Sequence, residues 1–543
     1  MLKHSILLLL TLGVLSACYK GKKVDIIIHN AVVHTMTDDE HTFDAIAISQ
    51  GTIIEVGPEQ QILNKYRADE IIDASGKDVY PGFTDCHGHL LLYAKNLLNV
   101  DLTGSKSFDE VLVRLEKYQQ KHHRKFIVGS GWDQSLWSNA TFPTNEKLNK
   151  LFPTIPVCLM RVDGHAMLVN EALLRLAKIN ENSKIDGGTV HTTNGKCDGL
   201  LIDNAMNAVN ALIPTYPQKE ISAKIQEIQD ELVQYGITGV HEAGINFSDI
   251  QLFKSMIDKG LLKINVYAML LATKENIDFA EKHGIYSYKN LRIQSFKVFG
   301  DGSLGSRGAL LKQPYTDDHS HQGVLTTPLS TMEEIASVCE KIGYQLNTHA
   351  IGDSTNKLVL NLYKRIYGKK KDHRWRIEHA QVIDPKDIHL FGEYAIFPSV
   401  QPTHATSDQR WALKRIGSSR MKSAYAYKSL LNQFGMLAIG TDFPIEQTDP
   451  FLTIHAAVNR KNTDNTPVNG FYPQEAISFN ECIKGMTSWA AFASFQEKKL
   501  GTLEKGKDAT LVIFEKPVRN SRVYSPNFAY ITLIKGKKVY SVE

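Results

Sequence analysis

The sequence predicts an α/β protein built on a (β/α)8 TIM-type barrel, with a discontinuous small β-sandwich and an insertion after the first barrel strand. Apolar runs alternate with helical stretches through the middle of the chain, which is the pattern of parallel βα units. Eight such runs match the strand number of a closed barrel, and five of them carry a potential metal ligand at or near the C-terminal end, where barrel active sites lie. The predicted strands cover residues 80–86, 236–242, 264–270, 292–299, 345–349, 375–379, 395–400 and 436–440.

The two ends of the chain read as strands of a second, smaller domain. Residues 24–35, 45–55 and 70–79 are rich in Ile and Val and are interrupted by glycines, and residues 508–514 and 530–542 have the same character. We therefore expect residues 24–79 and 497–543 to form one β-sandwich around a barrel of residues 80–496. Residues from about 101 to 235 are too many for a loop and predict an inserted subdomain.

Composition and charge place the chain among ordinary globular proteins. It has 543 residues, of which 43% are hydrophobic and 22% are charged, and its formal net charge is +4. The positive charges are spread along the chain without a long basic block, so the sequence gives no support to a nucleic-acid partner. The six cysteines are scattered without a Cys-x-x-Cys pair, which argues against a zinc knuckle.

The N-terminus predicts an exported, lipid-anchored protein. A short apolar stretch follows Lys3 and His4 and is too short to cross a bilayer, so residues 1–17 read as a signal peptide. The stretch ends in Leu-Ser-Ala before Cys18, which resembles the lipobox of bacterial lipoproteins. That resemblance implies lipid on Cys18, a linker over residues 18–23 and a place in the bacterial cell envelope. The alternative is an ordinary signal peptide that contains a cysteine.

The first candidate ligands are two histidines at the end of the first predicted strand. His87 and His89 are two residues apart on an extended segment, so their side chains point the same way. Lys297 lies inside an apolar strand, where burial favours its neutral amine. A neutral amine can react with carbon dioxide to give a carbamate that bridges two divalent ions. The alternative for Lys297 is an ion pair with an internal carboxylate such as Asp301.

Three further candidates follow later strands. His349 and His379 each end an apolar run and could bind a second metal ion, although each could instead be a hydrogen-bonded structural histidine. Asp442 ends the eighth run, where a carboxylate can touch a metal and accept a proton from a bound water. Asp442 could instead cap a following turn.

The order of these ligands resembles the amidohydrolase superfamily of metal-dependent hydrolases, in the branch that contains the N-substituted formamide deformylases. The resemblance covers essentially the whole mature chain and is strongest in residues 297–307 (KVFGDGSLGSR), 347–353 (NTHAIGD), 376–381 (RIEHAQ) and 399–408 (SVQPTHATSD). It implies one or two divalent metal ions, with zinc expected, and a carbamate on Lys297. The implied metal ligands are His87, His89, Lys297, His349, His379 and Asp442.

The resemblance also implies a mechanism. A hydroxide held at the metal ions attacks an amide carbonyl, and Asp442 acts as general acid and base between the nucleophile and the leaving nitrogen. Four polar residues in the matching motifs are candidates for contact with substrate, with structural hydrogen bonding as the alternative for each. They are Asp133, His165, Arg307 and His404.

We therefore expect a hydrolase of carbon–nitrogen bonds other than peptide bonds, acting on a linear N-substituted amide of small size. One alternative is a cyclic amide or ester hydrolase with the same centre. Another is an inactive barrel that serves as a surface binding lipoprotein. A homodimer remains an option, and the sequence leaves open the acyl group, the amine and the membrane face that holds the anchor.

Overall fold

The computed structural model describes residues 21–37, 41–369, 372–518 and 521–542. The predicted signal peptide and the lipid-bearing Cys18 lie outside the described residues. Within these ranges, no helix combines the length and the apolar character needed to cross a membrane.

Eight parallel strands form the barrel, as the sequence predicts. Successive strands pair in chain order, and a short antiparallel strand, Tyr286–Tyr288, adds to the fourth. The eight are β1 (Phe83–Gly88), β2 (Ile237–Ile245), β3 (Asn265–Leu271), β4 (Leu291–Phe299), β5 (Gln345–Ala350), β6 (Arg376–His379), β7 (Phe397–Val400) and β8 (Ala438–Ile439). The backbone N–H of Asp442 donates to the carbonyl of His87 at 2.6 Å, which joins the last strand to the first.

The boundary between the sandwich and the barrel lies a few residues later than the sequence indicates. Tyr80, predicted as the start of the first barrel strand, belongs to the strand Asp78–Pro81 of the sandwich. Gly82 separates this strand from β1, and a Cβ at Gly82 would collide with the side chain of Thr238. One apolar run is thus divided between two domains at a glycine.

Both ends of the chain meet in two sheets that enclose a common apolar core, including Ile28, Ile48 and Leu511. The four-stranded sheet contains Thr52–Gly57, Ala45–Ser49, Lys22–His29 and Tyr66–Asp73, in that order. The six-stranded sheet contains Lys537–Ser541, Ala529–Ile534, Leu511–Phe514, Asp78–Pro81, Val32–His34 and Thr42–Phe43.

The run 24–35, predicted without a break, and the run 70–79, predicted to be interrupted at Gly76, each supply both sheets. The run 24–35 breaks at Asn30, whose φ is 50°, and the run 70–79 breaks at Ser75 and Gly76, with φ of 53° and 74°. A left-handed residue cannot continue a strand, so the chain turns there and enters the other sheet.

The insertion between β1 and β2 has a sheet and a core of its own. Its strands, in sheet order, are Gly188–Thr193, Lys196–Asp203, Ala166–Val169, Val157–Arg161, Ile127–Trp132 and Val100–Asp101. Trp132 and Trp137 stack in its buried core with ring centroids 6.0 Å apart.

Helices lie on the barrel, on the insertion and on the sandwich. Before β2 they are Glu59–Lys65, Leu90–Asn96, Phe108–His122, Glu146–Leu151, Glu171–Ala177, Asn207–Asn210 and Gln218–Gln234. From β2 to β7 they are Phe247–Asp258, Lys274–His283, Leu329–Ile342, Asp353–Tyr367 and His389–Glu393. After β7 they are Pro402–Asp408, Ala412–Met421, Tyr427–Phe434, Pro450–Asn459, Phe479–Gly485 and Ser488–Ala493. Short 3-10 helices cover Gln134–Leu136, Asn204–Met206 and Pro473–Glu475.

Candidate metal centre

The ends of β1 and β8 bring three of the candidate ligands together. The Oδ1 atom of Asp442 lies 3.0 Å from Nε2 of His89 and 3.5 Å from Nε2 of His87. His87 is fully buried and Asp442 is 7% exposed. Three side chains therefore point their donor atoms at one small volume at the mouth of the barrel.

Local backbone contacts fix Asp442 in this place. The carboxylate of Asp85 in β1 accepts hydrogen bonds from the backbone N–H and the hydroxyl of Thr441, and from the N–H of His87. Asp442 has a φ of 66°, which turns its side chain back over the barrel. A turn does follow Asp442, closed by a hydrogen bond from the N–H of Ile445 to the carbonyl of Asp442 at 2.9 Å, while the carboxylate of Asp442 faces the histidines.

His349 and His379 lie beside this group. Their ring centroids are 4.5 Å apart, and the ring of His379 lies 4.9 Å from that of His87. Burial lowers the pKa of both imidazoles well below the usual value. Both rings are therefore neutral near neutral pH, and the neutral ring is the form that binds a metal ion.

Lys297 lies within the same cluster and not in an ion pair with Asp301. Its Nζ atom is 3.1 Å from Nε2 of His87, and burial lowers the pKa of the amine to about 8. The carboxylate of Asp301 instead accepts backbone N–H groups of Leu310, Ile351 and Gly352. The amine of Lys297 therefore loses its proton more readily than an exposed lysine, and Asp301 does not hold it charged.

Glu378 is a member of the site that the sequence did not reveal. Its Oε2 atom lies 2.6 Å from Nδ1 of His87, and its other oxygen pairs with Arg376 at 2.7 Å. Neighbouring residues of a regular strand face opposite sides. His379 has a φ of 72°, which breaks this alternation and lets Glu378 and His379 both reach His87.

His404 approaches Asp442 from the opposite side. Its Nε2 atom is 3.3 Å from Oδ2 of Asp442, and its Nδ1 atom is 3.1 Å from Oε1 of Glu446. Burial disfavours a charged ring, but hydrogen bonds to Asp442 and Glu446 outweigh it and raise the pKa of His404 well above its usual value. His404 lies on the helix Pro402–Asp408, which follows β7 directly.

His165 reaches the cluster from the inserted subdomain. Its ring lies 5.1 Å from that of His349, and its Nδ1 atom lies 2.8 Å from Oδ1 of Asp203. Asp203 packs so closely on Gly302 that a Cβ there would collide with the carboxylate. The glycine-rich segment after β4 therefore lets the insertion approach the barrel mouth.

The other two proposed substrate contacts already have charged partners. Asp133 accepts from Arg161 and Arg410, each at 2.8 Å. Arg307 pairs with Asp317 at 3.0 Å. These ion pairs tie loops around the barrel mouth, and neither Asp133 nor Arg307 belongs to the histidine–aspartate groups at the centre.

The donor set fits a divalent metal ion. Imidazole nitrogens and carboxylate oxygens are ligands that zinc and similar ions accept. Among the described residues, Nδ1 of His379 is buried without a hydrogen-bond partner, which is costly unless another group satisfies it, and Oδ1 of Asp442 has only its ion pairs with His87 and His89. A cation among these atoms would do so.

A barrel with this donor set at its C-terminal mouth defines a metal-dependent hydrolase. The family comparison agrees, because the sequence profile of the amidohydrolase family matches residues 70–540. The chain belongs to the amidohydrolase family and is a hydrolase that acts on carbon–nitrogen bonds.

Individual relatives cover nearly the whole chain. "Putative amidohydrolase YtcJ" of Bacillus subtilis is 31% identical over 493 residues, spanning 89% of this chain and 93% of that protein. N-substituted formamide deformylase of Arthrobacter pascens is 24% identical and spans 91% and 93%. The crystal structure of an uncharacterized metal-dependent hydrolase from Pyrococcus horikoshii is 27% identical with a TM-score of 0.74, covering 90% of this chain and 97% of that one.

Proposed function

We propose that this protein hydrolyses linear N-substituted amides of small size. The observation that supports the proposal is that all six expected ligands lie close together near the C-terminal ends of five barrel strands. The ligands are His87, His89, Lys297, His349, His379 and Asp442. The similarity to N-substituted formamide deformylase supports an open-chain amide over a cyclic one.

The chain's own residues supply the proton transfers. A divalent cation held by these six residues, with zinc the expected one, would supply a nucleophilic water near neutral pH and would polarise the amide carbonyl. The carboxylate of Asp442 accepts the proton from the attacking water and passes it to the leaving nitrogen. The products are a carboxylic acid and an amine.

Lys297 is proposed to carry a carbamate formed with carbon dioxide. Its buried amine, with a pKa lowered to about 8, retains a reactive neutral fraction. The resulting carboxylate-like group would be a ligand shared between two cations. A carbamate is lost on acidification, so intact-protein mass measured gently and after acid treatment should differ by one carbon dioxide.

Substrate contacts are proposed for Asp133, His165, Arg307 and His404. His165 has the best-placed ring, because it lies against His349 and is oriented by Asp203. Asp133 and Arg307 would act at the rim, where their ion pairs shape the entrance. We also propose that the protein forms homodimers. The native mass of the purified protein in solution tests this.

Attachment to a membrane through lipid on Cys18 is also proposed, on the resemblance of residues 15–18 to a lipobox. Stable anchoring needs more than one acyl chain, and lipoprotein cysteines carry several. Expressed in a bacterial host, the wild type should fractionate with membranes and Cys18→Ser should not. Equal membrane retention of both forms would contradict the anchor.

The decisive experiment is hydrolysis by the metal-loaded full chain in detergent. N-substituted formamides should release amine, while a lactam and a lactone of matched size should remain intact. Protein stripped of metal by a chelator serves as the control and should be inactive. Hydrolysis of the cyclic compounds alone would favour the cyclic alternative, and no hydrolysis of any compound by loaded protein would favour a binding protein.

A further inference from the structure

We propose that His404 is a metal ligand, and that His379, His404 and Asp442 form a second cation position beside the one formed by His87, His89 and Asp442. The donor atoms of each group lie within 4.8 Å of one another, and Asp442 belongs to both groups. The inference deepens the proposed function and rests on it for the presence of a metal centre. It adds a ligand from the segment after β7 to the six already expected.

The two oxygens of Asp442 face different sets of histidines. Oδ1 lies 3.0 Å from His89 and 3.5 Å from His87, whereas Oδ2 lies 3.3 Å from His404. Two ligand atoms of a tetrahedral zinc site are about 3.4 Å apart when each bond is about 2.1 Å. All three distances are close to this value, so a cation fits on each side of the carboxylate with little movement.

His404 is oriented as metal-binding histidines are. Its outer nitrogen, Nδ1, lies against Glu446, which also accepts a hydrogen bond from the hydroxyl of Ser407 at 2.5 Å. Nε2 is directed at Oδ2 of Asp442, and any proton on Nε2 must leave to solvent before this nitrogen can bind a cation. His87 has the same arrangement, with Glu378 on Nδ1 and Nε2 towards Asp442. A carboxylate on the outer nitrogen is the usual support of a metal-bound imidazole.

His379, the third member of the proposed position, has a buried ring nitrogen without a partner. Nδ1 of His379 has no hydrogen-bond partner among the described residues, although His379 is 5% exposed. The ring centroids of His379 and His404 are 6.0 Å apart, and one ligand atom of each lies within 4.8 Å of the other and of an oxygen of Asp442.

The test is a metal titration of the metal-free full chain in detergent. Zinc is added in competition with a chromophoric chelator, and bound zinc per chain is counted by elemental analysis. Wild type should bind two ions, and His404→Asn should lose one of them or bind it at least about tenfold more weakly. His165→Asn is the matched control, because His165 is also a carboxylate-supported histidine at the barrel mouth but lies outside both groups, and it should bind as wild type does.

A second variant protects the test against misfolding. Glu446→Gln keeps the shape of the support and should weaken the same position by about tenfold, without affecting the other. A wild-type stoichiometry of one, wild-type affinities in His404→Asn, or an equal loss in His165→Asn would each overturn the inference. The readout needs no substrate, so two ions with no amide hydrolysis would reject only the proposed function.

Discussion

The Nδ1 atom of His87 lies 2.6 Å from the Oε2 atom of Glu378, and both side chains are fully buried. A carboxylate in this position accepts a hydrogen bond from Nδ1–H. The proton therefore stays on Nδ1, and Nε2 keeps its lone pair for a metal ion. Arg376 holds the other oxygen of Glu378 at 2.7 Å and is itself fully buried. The orientation of His87 is thus set by two fully buried side chains, Glu378 and Arg376.

Glu378→Gln should weaken metal binding by about tenfold to a hundredfold, because the neutral amide no longer fixes the tautomer or raises the basicity of His87. Competition with a chelator measures the loss. Glu475→Gln is the matched control, since Glu475 is also a buried glutamate but accepts hydrogen bonds from Ser429. Unchanged affinity in Glu378→Gln, or an equal loss in the control, would remove Glu378 from the centre.

Asp442→Asn should lower turnover of an N-substituted formamide by about a hundredfold to ten-thousandfold, since the amide cannot accept the proton of the attacking water. Zinc content measured on the same sample separates this loss from loss of metal. Asp258→Asn, a surface aspartate in a helix, should retain wild-type turnover. Full activity of Asp442→Asn with metal bound would rule out the general-base role.

The barrel could be predicted because each strand is an apolar run and its polar end residue marks where the run stops. Even the two-residue strand β8 was located in this way, from the run that ends before Asp442. Sheet membership could not be predicted. The runs around Asn30 and Gly82 are continuous in composition, and only the structure shows that two sheets share each of them.

The six expected ligands could be found because each lies near the C-terminal end of an apolar run. The residues that support them could not, since they are brought in by tertiary contacts. Glu446 belongs to a loop, Asp203 to the insertion, and Glu378 is adjacent to a ligand on a strand that should turn it away. Only the positive φ of His379 reverses that expectation, and no sequence signal marks it.

Gly302→Ala should destabilise the protein by about 1–3 kcal/mol, because the added methyl group would collide with the buried carboxylate of Asp203. Movement of Asp203 would also release His165, so KM for the amide should rise. Denaturant unfolding and steady-state kinetics measure the two effects. Gly57→Ala is the control, because its Cβ would meet only the end of the Gln61 side chain, at 3.9 Å.

Glu242 gives a prediction about pH and stability. Its carboxylate accepts backbone N–H groups of Leu90, at 2.6 Å, and Leu91, at 3.2 Å, and so holds the start of the helix that follows His89. Burial raises the pKa of Glu242 from 4.5 to about 8, against the opposing effect of these hydrogen bonds. Between these two values the folded protein keeps a proton on Glu242 that the unfolded chain releases.

The free energy of unfolding contributed by Glu242 must therefore fall as pH rises from about 4.5 to about 8, because the folded state binds more protons in that window. Glu242→Gln cannot titrate, so its stability relative to wild type should improve steadily over the same range. Denaturant unfolding of both metal-free proteins, at several pH values between about pH 5 and about pH 9, measures the difference. Parallel profiles would show that the buried carboxyl ionises normally, and that the two backbone N–H groups outweigh its loss of hydration.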